Sequence, residues 1–140
     1  GGEESGSFGF RGNIAERDGI LAALHFLGLI VRTGKSLSEL IDYLYSKVGP
    51  HHYHRVDVEF PEAERQTIIG RVQKNPPQYI DGVKVAEYDT TDGFRFILAD
   101  TTWLLIRFSG TEPLLRIYAE STTPARVEKL LEFGKELAGV

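Results

Sequence analysis

The sequence predicts an α+β fold: an antiparallel sheet of four to five strands with two helices on one face, preceded by a helical tail. Three observations lead there. The apolar period is helical up to residue 48 and switches to two from residue 53. Gly49-Pro50 separates the two regimes. Beyond that break the elements run β-α-β-β-β-β-α, an order that suits an antiparallel sheet covered by helices on one side.

Residues 1–13 are rich in glycine and read as a loop. Residues 18–31 form an apolar helix with Asp18 placed to cap its start. Ile20, Leu21, Leu24, Leu27 and Val31 make one face, and Ala23, Phe26 and Ile30 widen the stripe almost all round. Such a helix needs neighbours on several sides. Ser36-x-x-Glu39 is a capping box that opens a second helix. Leu37, Leu40, Ile41, Leu44 and Val48 give that helix one apolar face, and Gly49-Pro50 ends it. Val56, Val58 and Phe60 then alternate with Arg55, Asp57 and Glu59 as a half-buried strand. Pro61 is placed as a first helical residue, with Ile68, Ile69 and Val72 on the buried side and Asn75-Pro76-Pro77 as the stop. Strands are expected around 83–88, 94–99, 103–108 and 114–120. A last helix over about 124–138 buries Val127, Leu130, Leu131 and Leu137.

Composition narrows the function. The 140 residues are 41% hydrophobic and 26% charged, which excludes a disordered chain. The formal net charge is −4 with no basic stripe, so no nucleic-acid partner is expected. No apolar run reaches the roughly 18 to 20 residues that span a bilayer, and no membrane partner is expected. The absence of cysteine excludes disulfides and thiolate metal sites and fits a cytoplasmic location. The chain also lacks methionine, from which the expectation is that Gly1 is the cut end of a longer protein.

The sharpest local signal is Arg107-Phe108-Ser109-Gly110-Thr111-Glu112-Pro113-Leu114-Leu115-Arg116. Two strands are joined by a loop with two hydroxyls and a glycine. Counting by two puts Arg107 with Trp103 and Leu105, and Arg116 with Leu114 and Tyr118, so both guanidinium forks lie near one turn. Arginine suits phosphate because its planar donors match two oxygens at once. Ser109 and Thr111 add hydroxyls, and N–H groups around Gly110 form a candidate anion nest. The alternative reading is a polar hairpin turn with two solvated arginines.

A second signal is Gly1-Gly2-Glu3-Glu4-Ser5-Gly6-Ser7. Carboxylates and hydroxyls on a glycine-rich loop suit sugar hydroxyls; a flexible terminus is the alternative. Other patterns fail on spacing. There is no nucleophile elbow, dinucleotide fingerprint or P-loop. His51, His52 and His54 lack a neighbouring carboxylate in sequence to complete a zinc site. His25 reads as a packed side chain and Trp103 as core.

Taken together, Gly2-Glu3-Glu4-Ser5-Gly6, Arg17-Asp18-Gly19-Ile20 and Arg107-x-Ser109-Gly110-Thr111-Glu112-Pro113-x-x-Arg116-Ile117-Tyr118 resemble the C-terminal end of the α-D-phosphohexomutases, the phosphoglucomutase/phosphomannomutase family. The resemblance covers essentially the whole chain. It implies that residues 1–34 are the sugar-binding loop and helix at the tail of a third domain. Residues 35–49 would be a linking helix, and residues 50–140 a TBP-like C-terminal domain that binds phosphate. It implies sugar contacts from Glu3 and Ser5, and substrate-phosphate contacts from Arg107, Ser109, Gly110, Thr111 and Arg116. Glu4 looks more like glucose or mannose mutases than glucosamine mutases.

By the same resemblance, the phosphorylated serine and the Asp-x-Asp-x-Asp magnesium loop belong to the family's first and second domains. No Asp-x-Asp occurs in this sequence. The expectations are therefore a hexose phosphate ligand, preceding domains as partners, magnesium in the parent enzyme but none held by this chain, and no catalytic residue here. Self-association through residues 18–31 is a further expectation. A stand-alone phospholigand-binding module and a protein-interaction module remain the alternatives.

Overall fold

A computed structural model describes residues 1–3 and 6–140. The chain divides into two compact units, residues 1–48 and residues 49–140.

In the first unit Gly2 forms an antiparallel bridge with Phe8, and the Glu3 N–H donates to the Ser7 carbonyl at 2.9 Å. Helix α1 spans Gly19–Thr33. Its start is built as the sequence predicts: Asp18 Oδ1 accepts the Leu21 N–H at 2.9 Å, and Asn13 Nδ2 donates to the other carboxylate oxygen at 2.8 Å. The Leu21 N–H and then Asn13 hold the Asp18 carboxyl below the usual carboxylate range. Gly34 ends the helix in the left-handed region. Helix α2, Leu37–Val48, follows after a bend of 83°. Its capping box closes in both directions: Ser36 N–H donates to Glu39 Oε2 at 2.8 Å, and Ser36 Oγ accepts the Glu39 N–H at 3.3 Å. Only Ala22 of the two helices is buried, and Ile20 stands 79% exposed.

The second unit is the α+β domain. Its strands are β1 (His52–Glu59), β2 (Tyr79–Ile80), β3 (Val83–Asp89), β4 (Phe94–Leu98), β5 (Trp103–Phe108) and β6 (Leu114–Ser121). They form one sheet in the order β1-β6-β5-β4-β3-β2, with every neighbouring pair antiparallel. The sheet has one strand more than the sequence suggests. Strand β2 is only two residues long, too short to show a period, and it is held by pairing with the start of β3. Pro61 also differs from expectation. It keeps extended backbone, the Glu64 N–H donates to its carbonyl at 2.8 Å, and this i to i+3 bond closes a single 3-10 turn at Glu62–Glu64. Helix α3 (Arg65–Lys74) begins only after that turn, and α4 spans Pro124–Ala138.

Parity along the strands decides what is buried. Phe96, Leu104, Ile106, Leu115 and Ile117 face α3 and α4 and close a core with Ile68, Val72, Val127, Leu130 and Leu131. Residues of opposite parity stand on the open face. Trp103 belongs to these and not to the core: it is half-buried, 6.2 Å from Tyr53 between ring centres. Helix α4 approaches the sheet at Gly134, where a Cβ would lie 2.6 Å from Ile117 Cγ2. Arg126 ties the start of α4 to two turns of the sheet, through Asp81 at 3.0 Å and through Asp100. Among the described residues no single helix is long and apolar enough to cross a membrane.

Candidate functional site

The β5–β6 pairing sets Arg107 directly opposite Arg116. Partners in an antiparallel ladder have Cα atoms roughly 4.5–5.5 Å apart, and both side chains share the open face. Like charges set directly opposite are destabilising. Each arginine is partly neutralised by a carboxylate: Asp92 Oδ1 lies 3.2 Å from Arg107 Nε, and Glu112 Oε2 lies 3.5 Å from Arg116 Nη2. Arg116 Nε is buried without a hydrogen-bond partner. The site thus sets two guanidinium groups side by side, each with a carboxylate of its own nearby.

The loop joining the two strands is anchored at its base. Ser109 N–H donates to the Leu114 carbonyl at 2.8 Å, and Phe60 N–H donates to the Pro113 carbonyl at 3.3 Å. Phe108 packs edge-on against Phe60, with the Arg65 guanidinium 4.7 Å from the Phe108 ring centre. Ser109 is buried at 5% exposure, and its Oγ accepts the Thr111 N–H at 3.4 Å. Gly110, Thr111 and Glu112 are exposed. Among the described residues, the Gly110 and Glu112 N–H groups make no hydrogen bond. Gly110 has no left-handed φ, so the backbone alternation of one kind of nest is missing there. The result is two guanidinium forks, two hydroxyls and two backbone donors at one end of an open sheet.

The other candidate residues lie in the first unit. Arg17 Nη1 donates to both oxygens of Glu3, at 3.0 and 3.2 Å, and Arg17 also bonds Glu16. Hydrogen bonds to Glu16 and then Glu3 push the Arg17 guanidinium up. Glu3 and Arg17 line an open concavity of about 530 Å³ with Gly9, Phe10 and Ile14. Ser5 and Glu4 lie outside the described residues.

Register also brings together residues that sequence spacing does not connect. The His51 Nδ1 lies 2.9 Å from Glu120 Oε1, so a carboxylate does stand beside the histidine run. Among the described residues, however, no three of His, Cys, Asp and Glu converge on a point suited to a metal ion. His25 is exposed rather than packed inside, with its ring 4.8 Å from that of Phe10. Asp92 has no local signal at all; only the β3–β4 turn brings it to Arg107.

The second unit is thus an open-faced α+β domain with two opposed arginines beside a loop at one end of its sheet. The chain belongs to the phosphoglucomutase/phosphomannomutase family. Residues 56–136 match the family's C-terminal domain and residues 1–48 match its alpha/beta/alpha domain III. A phosphoglucomutase/phosphomannomutase of Thermococcus kodakarensis is 34% identical over 98% of this chain and 28% of its own length. A phosphoglucosamine mutase of Methanococcus aeolicus is 36% identical over 98% of this chain and 28% of its own length. One of Leuconostoc mesenteroides is 36% identical over 94% of this chain and 25% of its own. The chain thus spans about a quarter of the length of these curated relatives.

Proposed function

We propose that the chain is the substrate-recognition end of an intramolecular phosphotransferase that interconverts hexose 1-phosphate and hexose 6-phosphate. The carrying observation is the direct opposition of Arg107 and Arg116 on the open face beside Ser109, Gly110 and Thr111. A phosphate monoester carries about −1.5 to −2 charge at neutral pH and three acceptor oxygens. Two guanidinium groups carry the opposite charge, each offset in part by the carboxylate beside it. Charge-assisted hydrogen bonds contribute about 1.5–3 kcal/mol each, against roughly 0.2–1 kcal/mol for the cost of one opposed pair. Binding therefore outweighs the repulsion between the two guanidinium groups.

In this reading Arg107 and Arg116 grip the phosphoryl oxygens, Ser109 and Thr111 donate hydroxyl bonds, and Gly110 lets the ligand approach the backbone. Glu3 and Ser5 take sugar hydroxyls. Residues 1–34 act as the tail of the third domain, 35–49 as the linking helix and 50–140 as the phosphate-binding domain, in a cytoplasmic protein. The phosphoserine and magnesium that the resemblance implies would come from preceding domains. Among the described residues no three of His, Cys, Asp and Glu converge as a magnesium site needs. The chain's share of catalysis is to orient the phosphoryl group and stabilise its charge, and these two effects dominate phosphoryl transfer.

The test is a chemical-shift titration with phosphate and glucose 6-phosphate. Signals of Ser109 to Thr111 should move, and Arg107→Lys should weaken binding although charge is kept, because the planar fork is lost. Supplied with magnesium and a bisphosphorylated sugar, the chain should bind without converting substrate. A loop that stays still while other residues respond would sink the assignment. So would conversion that disappears on mutating Ser109 or Thr111.

A further inference from the structure

We infer that Asp92, on the turn between β3 and β4, is a positioning residue for Arg107; the inference rests on reading the 107–116 loop as a phosphate grip. Its first support is which nitrogen Asp92 takes. Asp92 Oδ1 lies 3.2 Å from Nε of Arg107, the inner nitrogen of the guanidinium. The terminal Nη pair stays available for a bidentate grip on an anion. Glu112 does the opposite on the neighbouring arginine. It lies 3.5 Å from Nη2 of Arg116, one of the tips a phosphate would use. One carboxylate stands beside the inner nitrogen of its fork and the other beside a tip, each as an ion pair without a hydrogen bond.

The second support is how the turn is built. Asp89, not Asp92, makes the turn's side-chain hydrogen bonds: its Oδ1 accepts the Thr91 N–H at 2.9 Å and the Thr91 hydroxyl at 2.6 Å. Gly93 has a φ of 101°, and a Cβ there would lie 2.7 Å from the Ile106 carbonyl oxygen and 3.1 Å from Arg107 Cβ. Glycine lets the turn press against the backbone of β5, and that contact sets Asp92 beside the guanidinium. The Asp92 carboxylate is thus spare for the turn itself and placed for Arg107.

The two acidic residues give opposite outcomes from the same change of charge. Removing a negative charge beside an anion site strengthens anion binding by Coulomb attraction alone. Glu112→Gln should do this, and it also frees an Nη of Arg116. Asp92→Asn should do the reverse, because an unheld Arg107 must be ordered by the ligand at the ligand's expense. A residue that only tuned the field would not behave in that way.

The experiment titrates inorganic phosphate into the full 140-residue chain and into D92N, G93A and E112Q, following Ser109 to Thr111. Nuclear-spin relaxation of Arg107 Nε is recorded on the parent and D92N without phosphate. Phosphate Kd should rise about two- to fivefold in D92N, the size of an exposed ion pair. It should rise in G93A as well and fall in E112Q. Arg107 Nε should be ordered in the parent and mobile in D92N, at an unchanged thermal midpoint. A D92N chain that binds phosphate as tightly as the parent, or more tightly, overturns the positioning role and leaves the phosphate site standing. A parent loop that ignores phosphate overturns the phosphate reading. In that case the relaxation decides on Asp92, since equal Nε mobility in both proteins refutes its hold on the guanidinium.

Discussion

Arg126 shows how much one side chain can organise. Asp81 and Thr101 hold positive φ values of 48° and 70°, unfavourable for residues with a Cβ. Arg126 bonds Asp81 in one of these turns and Asp100 beside the other. Burial pushes the Asp100 carboxyl up, but hydrogen bonds from Arg126 and from the Thr102 N–H outweigh it and hold the group below the usual carboxylate range. A depressed folded-state pKa means stability that is present above the unfolded value of roughly 3.9. That stability is lost as pH falls through the folded value. The difference in thermal midpoint between the parent and Asp100→Asn should therefore be constant above about pH 5 and shrink below about pH 4. A difference independent of pH from neutral to acid would show that Asp100 contributes nothing by its charge.

Among the elements, α3 and α4 each carry a glycine in mid-helix, with opposite surroundings. Around Gly70 of α3 a Cβ would meet nothing within 4 Å, whereas at Gly134 of α4 it would meet Ile117 and Leu104. Gly70→Ala should stabilise by about 0.5–1 kcal/mol through propensity alone. Gly134→Ala gains the same propensity but overpacks the core, which costs typically 1–3 kcal/mol. It should be neutral to destabilising by about 2 kcal/mol on balance. Denaturant midpoints for the two variants check this, and equal shifts would mean that α4 does not approach the sheet as described. The same locality explains what is legible in the sequence. Asp18 and the Ser36–Glu39 box announce their helices because caps act within one turn of the chain. The parity of Arg107 and Arg116 is readable from period two, but their direct opposition needs the register of β5 on β6, which sequence spacing does not give. For that reason Asp92 and the His51–Glu120 contact are invisible in the sequence. Trp103 reads as core because it opens a strand, whereas in the fold Leu104 and Ile106 claim the buried parity on β5.

At the scale of the whole molecule, the two units differ in how they treat apolar surface. Residues 49–140 bury theirs between sheet and helices. In residues 1–48 the apolar side chains of α1 and α2 are largely open: Ile20, Leu24, Leu27, Val31, Ile41 and Leu44 are all at least half exposed. Phe26, Leu29, Leu37, Leu40 and Leu44 line an apolar groove of about 710 Å³ within this unit. Fully burying one such side chain contributes about 1.5–3 kcal/mol. If five per copy lose half their exposure in a pair, the gain is about 5–9 kcal/mol, against roughly 4–15 kcal/mol for association. The two are comparable, so the chain should self-associate weakly and in a concentration-dependent way, not form a tight dimer. Light scattering across a concentration series should show the mean mass rising. Leu27→Glu combined with Ile41→Glu should hold it at the monomer, because each places a charge in surface the pair would bury. A monomer at every concentration, with the parent and the double variant binding an apolar dye equally, would mean that these helices tolerate water unaided.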